Sequence, residues 1–136
     1  MHGTKDIQPQ AYPGPTIDLL RMLVERVHAG LVATNAAAVM RMILAEGPRF
    51  PALLETYHRV SIARATALLR RIVQRGVLRG EVRDGAVAEL PMVLMAPALM
   101  AALWRQTFDR LAPIEPDRFR AAHLERLLCS ANPPAR

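Results

Sequence analysis

Between Leu90 and Trp104 the chain runs for fifteen residues, LPMVLMAPALMAALW, without one charge. A membrane-spanning helix needs about 20 apolar residues. This stretch is shorter and is interrupted by Pro91 and Pro97, so it reads as a helix buried in protein rather than in lipid. A helix apolar on one stripe needs one neighbour, whereas a helix apolar all round must be covered on every side. The 136 residues make one domain. Four other short helices in so small a domain can hardly cover it. Either one face packs inward and another packs on a second copy of the chain, or the helix is wholly internal. In the first case the last helix adds its own apolar stripe, and two helices from each copy form an intermolecular four-helix bundle.

The rest of the chain reads as helices too. Residues 1–15 hold Pro9, Pro13, Gly14 and Pro15 and no apolar period, and they read as a flexible leader. Thr16 suits an N-cap, and Ile17, Leu20, Val24, Val27 and Leu31 recur at helical spacing, giving a first helix over 16–32. A second helix starts at Thr34 or Asn35 and stops at Gly47-Pro48. A third starts at Pro51, where a missing N–H costs nothing, and ends at Gly76. Its stripe is Leu54, Tyr57, Ser61, Ala65, Leu68 and Ile72, and Arg59, Arg70, Arg71 and Arg75 form a solvated outer face. The fourth, over 86–109, is kinked at Pro97. The fifth spans 116–130 with Phe119, Ala122, Leu124, Leu127 and Leu128 as apolar positions, and 131–136 fray. Five helices and no strand pattern define an all-α fold, with 16–130 as its ordered domain.

Composition excludes several classes. An apolar share of 51% is too high for a disordered chain. A single cysteine, Cys129, excludes a disulfide framework and a multi-cysteine zinc site. The net charge of +6 leaves an anionic partner open, but 17 of the 18 basic residues are Arg, in an Ala-rich chain without interleaved aromatics. That is not a nucleic-acid patch. The first residues contain no apolar signal-peptide core, so a cytoplasmic protein off the membrane is expected.

Catalytic motifs are missing. There is no phosphate-binding glycine loop, no nucleophile elbow and no paired carboxylate motif. His2 and His123 lack a Ser or Cys partner at any motif spacing. Glu25–His28 and Glu55–His58 are each E-x-x-H pairs on one helix face, the half-sites of a di-iron bundle. The additional mid-helix glutamates of such a centre are absent, so the reading is a protein that is not an enzyme and carries no cofactor.

The stretch from Ile43 to Arg83, ILAEGPRFPALLETYHRVSIARATALLRRIVQRGVLRGEVR, resembles the C-terminal regulatory domain of TetR-family transcription regulators. The matching features are Ile43 to Glu46, then Pro48-Arg49-Phe50-Pro51, a long helix closing on Arg75-Gly76, and Leu78-Arg79-Gly80-Glu81. Downstream, MAPALMAALW is similar to the family's kinked penultimate helix, and a final amphipathic helix follows. The helix-turn-helix head of that family is absent from these residues, so any contact with DNA is expected only through a head outside them.

The resemblance implies a domain that binds a small hydrophobic or aromatic ligand and forms a homodimer through its last two helices. Met40, Met92 and Met95 suit a plastic apolar pocket, with Tyr57, His58 and Trp104 to orient the ligand. Each of these positions suits core packing or an interface as well. Leu99, Leu103, Phe119, Ala122 and Leu127 are the expected dimer contacts. A helical interaction module without a ligand accounts for the same helices.

Overall fold

The computed structural model describes residues 7–131. Seven helices follow one another: α1 (Thr16–Ala33), α2 (Ala36–Glu46), α3 (Pro51–Tyr57), α4 (Ala63–Leu78), α5 (Ala86–Glu89), α6 (Ala96–Thr107) and α7 (Pro116–Ala131). The fold is all-α, with no strand among the described residues. Five expected helices become seven for two local reasons. The third is one rod with a wide π-turn, His58–Ile62, set between α3 and α4. The fourth is broken outright.

That break corrects the reading of Leu90–Trp104 as one kinked helix. Leu90 sits before Pro91 outside the helical region (φ −124°, ψ 65°), because the ring of a following proline disfavours helical backbone there. Pro91–Leu94 form a single tight 3-10 turn, and α6 begins only at Ala96. Pro97 therefore lies in the first turn of α6, where its missing N–H costs nothing.

The central helix is α1. Leu19, Leu20, Leu23 and Val24 are buried on it, and it touches α2, α4, α6 and α7. Leu68, Leu69, Ile72 and Val73 of α4 and Leu127 of α7 complete the core. The apolar stretch instead leaves Leu90, Met92, Val93, Leu99 and Met100 exposed, while Ala98 and Ala102 face inward.

The segment before α1 packs against the core and α4. Ile7 is 4% exposed and belongs to the core. Arg75, expected on a solvated face, is half-buried and holds this segment: it donates to Thr16 Oγ1 (2.6 Å), Tyr12 O (2.8 Å) and Gly14 O (2.7 Å). Its neighbour Arg71 donates to Gln10 Oε1 at 2.7 Å. Residues 7–15 of the expected leader are thus seen packed on the fold; its first six positions lie outside the described residues, as do 132–136 of the expected frayed tail.

Thr16 is the first residue of α1 rather than its cap, which is Pro15. The Thr16 N–H is satisfied from across the fold, by Glu81 Oε2 at 2.7 Å. Hydrogen bonds from Thr16, and the Arg79 guanidinium 2.6 Å from Oε1, hold the Glu81 carboxyl down at about 2.

Glu81 reaches that place because α4 runs past Gly76 to Leu78 and ends in a left-handed Gly80 (φ 73°). Glu81 N–H bonds Gly76 O at 2.8 Å and Gly80 N–H bonds Val77 O at 3.1 Å, the paired bonds of a Schellman C-terminus. Gly76 serves close approach instead of ending the helix: a Cβ there would lie 2.5 Å from Val82 Cγ2 and 3.0 Å from Thr16 Cγ2.

Candidate functional site

A cavity of about 380 Å³ opens between the C-terminal end of α1, the N-terminal end of α2, α6 and the start of α7. Its walls are largely small or apolar: alanines of α2 and α6, Leu31 and Val32 of α1, Ile114 just before α7 and Phe119 on it. Alanine at 98, 101 and 102 is what leaves the space, since larger side chains on that face of α6 would fill it. Arg105, Gln106, Asn35, Asp117 and Arg120 supply the polar part of the lining. Arg120 pairs with Asp117 one turn earlier at 3.4 Å.

His28 forms one wall, 7% exposed. It lies on the buried stripe Leu20–Val24–His28 of α1. His123 lies on the buried stripe of α7 with Leu127, and is 4% exposed. The two rings meet edge to face, with centroids 5.1 Å apart and His28 Nε2 2.8 Å from His123 Nδ1. His123 Nε2 is 2.7 Å from Leu94 O.

This chain has a direction. The Leu94 carbonyl can only accept, so a neutral His123 ring carries its proton on Nε2 and offers the Nδ1 lone pair. His28 donates into that lone pair through Nε2. Burial first, then His123 and the Arg120 guanidinium, push the His28 ring down to about 4, so it stays neutral at physiological pH. Phe119 stands tilted against it at 6.2 Å.

The residues expected to bind a ligand lie elsewhere. None of Met40, Tyr57, His58, Met92, Met95 and Trp104 lines this cavity. Met95 packs against the core. Tyr57 is half-buried, with its hydroxyl pKa raised by burial, and Met40 is half-buried on α2. His58 and Met92 are exposed. Trp104 donates its indole N–H to Ala112 O at 2.6 Å and stacks tilted on Phe108 at 5.1 Å, so it fixes the turn between α6 and α7.

The expected dimer contacts also divide. Leu127 is core at 4% exposure, which removes it from any outer face, and Phe119 faces the cavity. Leu99 and Ala122 are exposed and Leu103 is half-buried. The E-x-x-H readings separate as well: Glu25 is exposed while His28 is buried, and Glu55 and His58 are both exposed. No cluster of three metal-ligating side chains occurs among the described residues.

The signal for the wall was present in sequence, as a histidine at an apolar position of each stripe. The pairing was not, because 95 positions separate the partners.

Comparison with protein families matches the chain to the "Tetracyclin repressor-like, C-terminal domain" over residues 14–122. The chain belongs to this family of TetR-like C-terminal domains. No curated protein and no solved structure matches it. Among the described residues no single helix is long and apolar enough to cross a membrane.

Proposed function

We propose that this chain is the effector-binding and dimerisation domain of a cytoplasmic TetR-like transcription regulator. A small molecule with an apolar or aromatic body occupies the cavity between α1, α2, α6 and α7. Its binding shifts the balance between two arrangements of the domain, and so the spacing of DNA-binding heads carried outside this sequence. The observation that carries this reading is the cavity of about 380 Å³ walled by four helices, in a domain of this family. A space of that size fits the usual range of small-molecule pockets, which starts at about 300 Å³.

Dimerisation is supported by the outer stripe of α6. Leu99 and Met100 are exposed at 40% and 56%, and Leu103 follows one turn on. The inward side of the same helix is spent on Ala98 and Ala102. A solvent-facing row of this kind is a surface for a partner, and a second copy is the partner the family reading supplies.

The test is ligand-dependent stabilisation, since a molecule that binds only the folded state raises its stability. A panel of aromatic and apolar compounds is screened by thermal unfolding against the wild type and Ala101→Phe. Ala101 lines the cavity and is only partly buried, so the larger ring enters the space. Compounds that raise the wild-type midpoint and leave the variant's unchanged support the reading. A panel without effect on either protein, at concentrations up to solubility, overturns it.

A further inference from the structure

His28, which lines the cavity, has one polar atom whose hydrogen-bonding role is set by its neighbours in the fold. Leu94 O accepts from His123 Nε2 at 2.7 Å, and His123 Nδ1 accepts from His28 Nε2 at 2.8 Å. Each donor assignment dictates the next, so the remaining nitrogen of His28, Nδ1, is a bare lone pair. Among the described residues no fully buried side-chain nitrogen or oxygen lacks a partner. Among the described residues Nδ1 has no hydrogen-bond partner, so it keeps contact with open space. His28 is 93% buried and lines the cavity. A neutral ring is the resting form here, because burial opposes its protonation.

From this we infer that the cavity selects molecules with an apolar, aromatic-sized body and a hydroxyl-type hydrogen-bond donor, which donates to His28 Nδ1. The inference deepens the effector-binding reading and rests on it. The complementary rejection follows from the same geometry. An ether oxygen or a carboxylate brings only lone pairs to the lone pair of Nδ1, and the desolvated acceptor is left unpaired. Leaving a buried acceptor unpaired weakens binding. Phe119, tilted over His28, and the alanines of α6 leave flat apolar walls for the body of the molecule. The guanidiniums of Arg105 and Arg120 are the competing recognition elements. Arg120 already faces Asp117 at 3.4 Å, and Arg105 is solvent-exposed, which weakens both as selectors of a buried anion.

The experiment uses three matched probes, 2-naphthol, 2-methoxynaphthalene and 2-naphthoate, titrated into the full chain by calorimetry. It is paired with nitrogen NMR of the two histidine rings, which reads the tautomer before any probe is added. The expected result is an unprotonated Nδ1 on His28 in the free protein, whose resonance moves on adding 2-naphthol. 2-Naphthol binds about tenfold or more tighter than the other two. The His28→Phe variant loses that preference while still binding 2-methoxynaphthalene. A proton on His28 Nδ1 in the free protein overturns the inference without any probe. Equal affinity for 2-naphthol and 2-methoxynaphthalene overturns it and leaves cavity binding intact. Tighter binding of 2-naphthoate overturns it in favour of the arginines. Binding of none of the three, with a silent His28, overturns both this inference and the effector-binding reading for molecules of this size.

Discussion

His28 and His123 share a hydrogen bond of 2.8 Å across 95 positions of chain, and through it α1 and α7 are joined at the wall of a cavity. Buried polar groups in a small core are costly unless every member is satisfied. Here the Leu94 carbonyl closes one end of the chain, and His28 at the other end lines the cavity.

The pair makes folding pH-dependent. The unfolded His28 ring takes a proton near its ordinary value of 6.5, whereas in the fold it waits until about 4. Stability is therefore complete above pH 6.5 and declines as pH falls towards 4, by up to ~3 kcal/mol. Urea unfolding at pH 7.5 and pH 4.5 measures the loss. A His28→Phe variant should lose much of this slope, and a wild type equally stable at both values would contradict the assignment.

The Glu81 carboxylate should matter as the cap of α1. Glu81→Ala leaves the N–H of fully buried Thr16 without an acceptor, at a cost of about 1–2 kcal/mol. Because the carboxyl is held at about 2, its contribution is present above pH 4.5 and fades between there and pH 2. Chemical denaturation at pH 7 of wild type and variant reads the first effect. If the two midpoints coincide, Glu81 does not cap the helix.

Gly76→Ala tests the close approach of α4 to the start of α1. Helix propensity alone predicts a gain of about 1 kcal/mol. The new Cβ would lie 2.5 Å from Val82 Cγ2, so a net loss of about 1–3 kcal/mol is expected instead. Adding Val82→Ala should recover part of it. A Gly76→Ala protein more stable than wild type would show that Val82 moves aside freely.

The outer stripe of α6 should carry self-association. Leu103→Arg places a charge beside exposed Leu99 and Met100. Sedimentation of wild type should give a dimer and that of Leu103→Arg a monomer with unchanged helicity by circular dichroism. A variant that sediments as the dimer removes this face from the interface.

Much of the architecture was legible in sequence. Leu20, Val24 and His28 recur every four residues, and Pro51 and Pro116 open helices because their rings suit a first turn. Helical period and proline position are local properties, so α1, α2 and α7 fall close to where the residues alone place them. The TetR-like pattern from Ile43 to Arg83 likewise anticipated the family. The break at Leu90–Met95 was harder. Pro91 and Pro97 each permit either a kink or a restart, and the choice depends on what the intervening turn packs against.

What the sequence by itself determined is the set of helices and the apolar face of each, because both follow from side-chain spacing and backbone restriction. What only the tertiary structure decided is which polar groups meet. Arg75 reads as surface until Tyr12 and Gly14 present their carbonyls to it, and Glu81 reads as loop until Thr16 arrives with an unpaired N–H. The ligand-binding residues expected from methionine and aromatic content miss the cavity for the same reason. A cavity is made by what is small on facing helices, Ala98, Ala101 and Ala102 against the end of α1. Smallness marks a cavity only once the helices that surround it are in place.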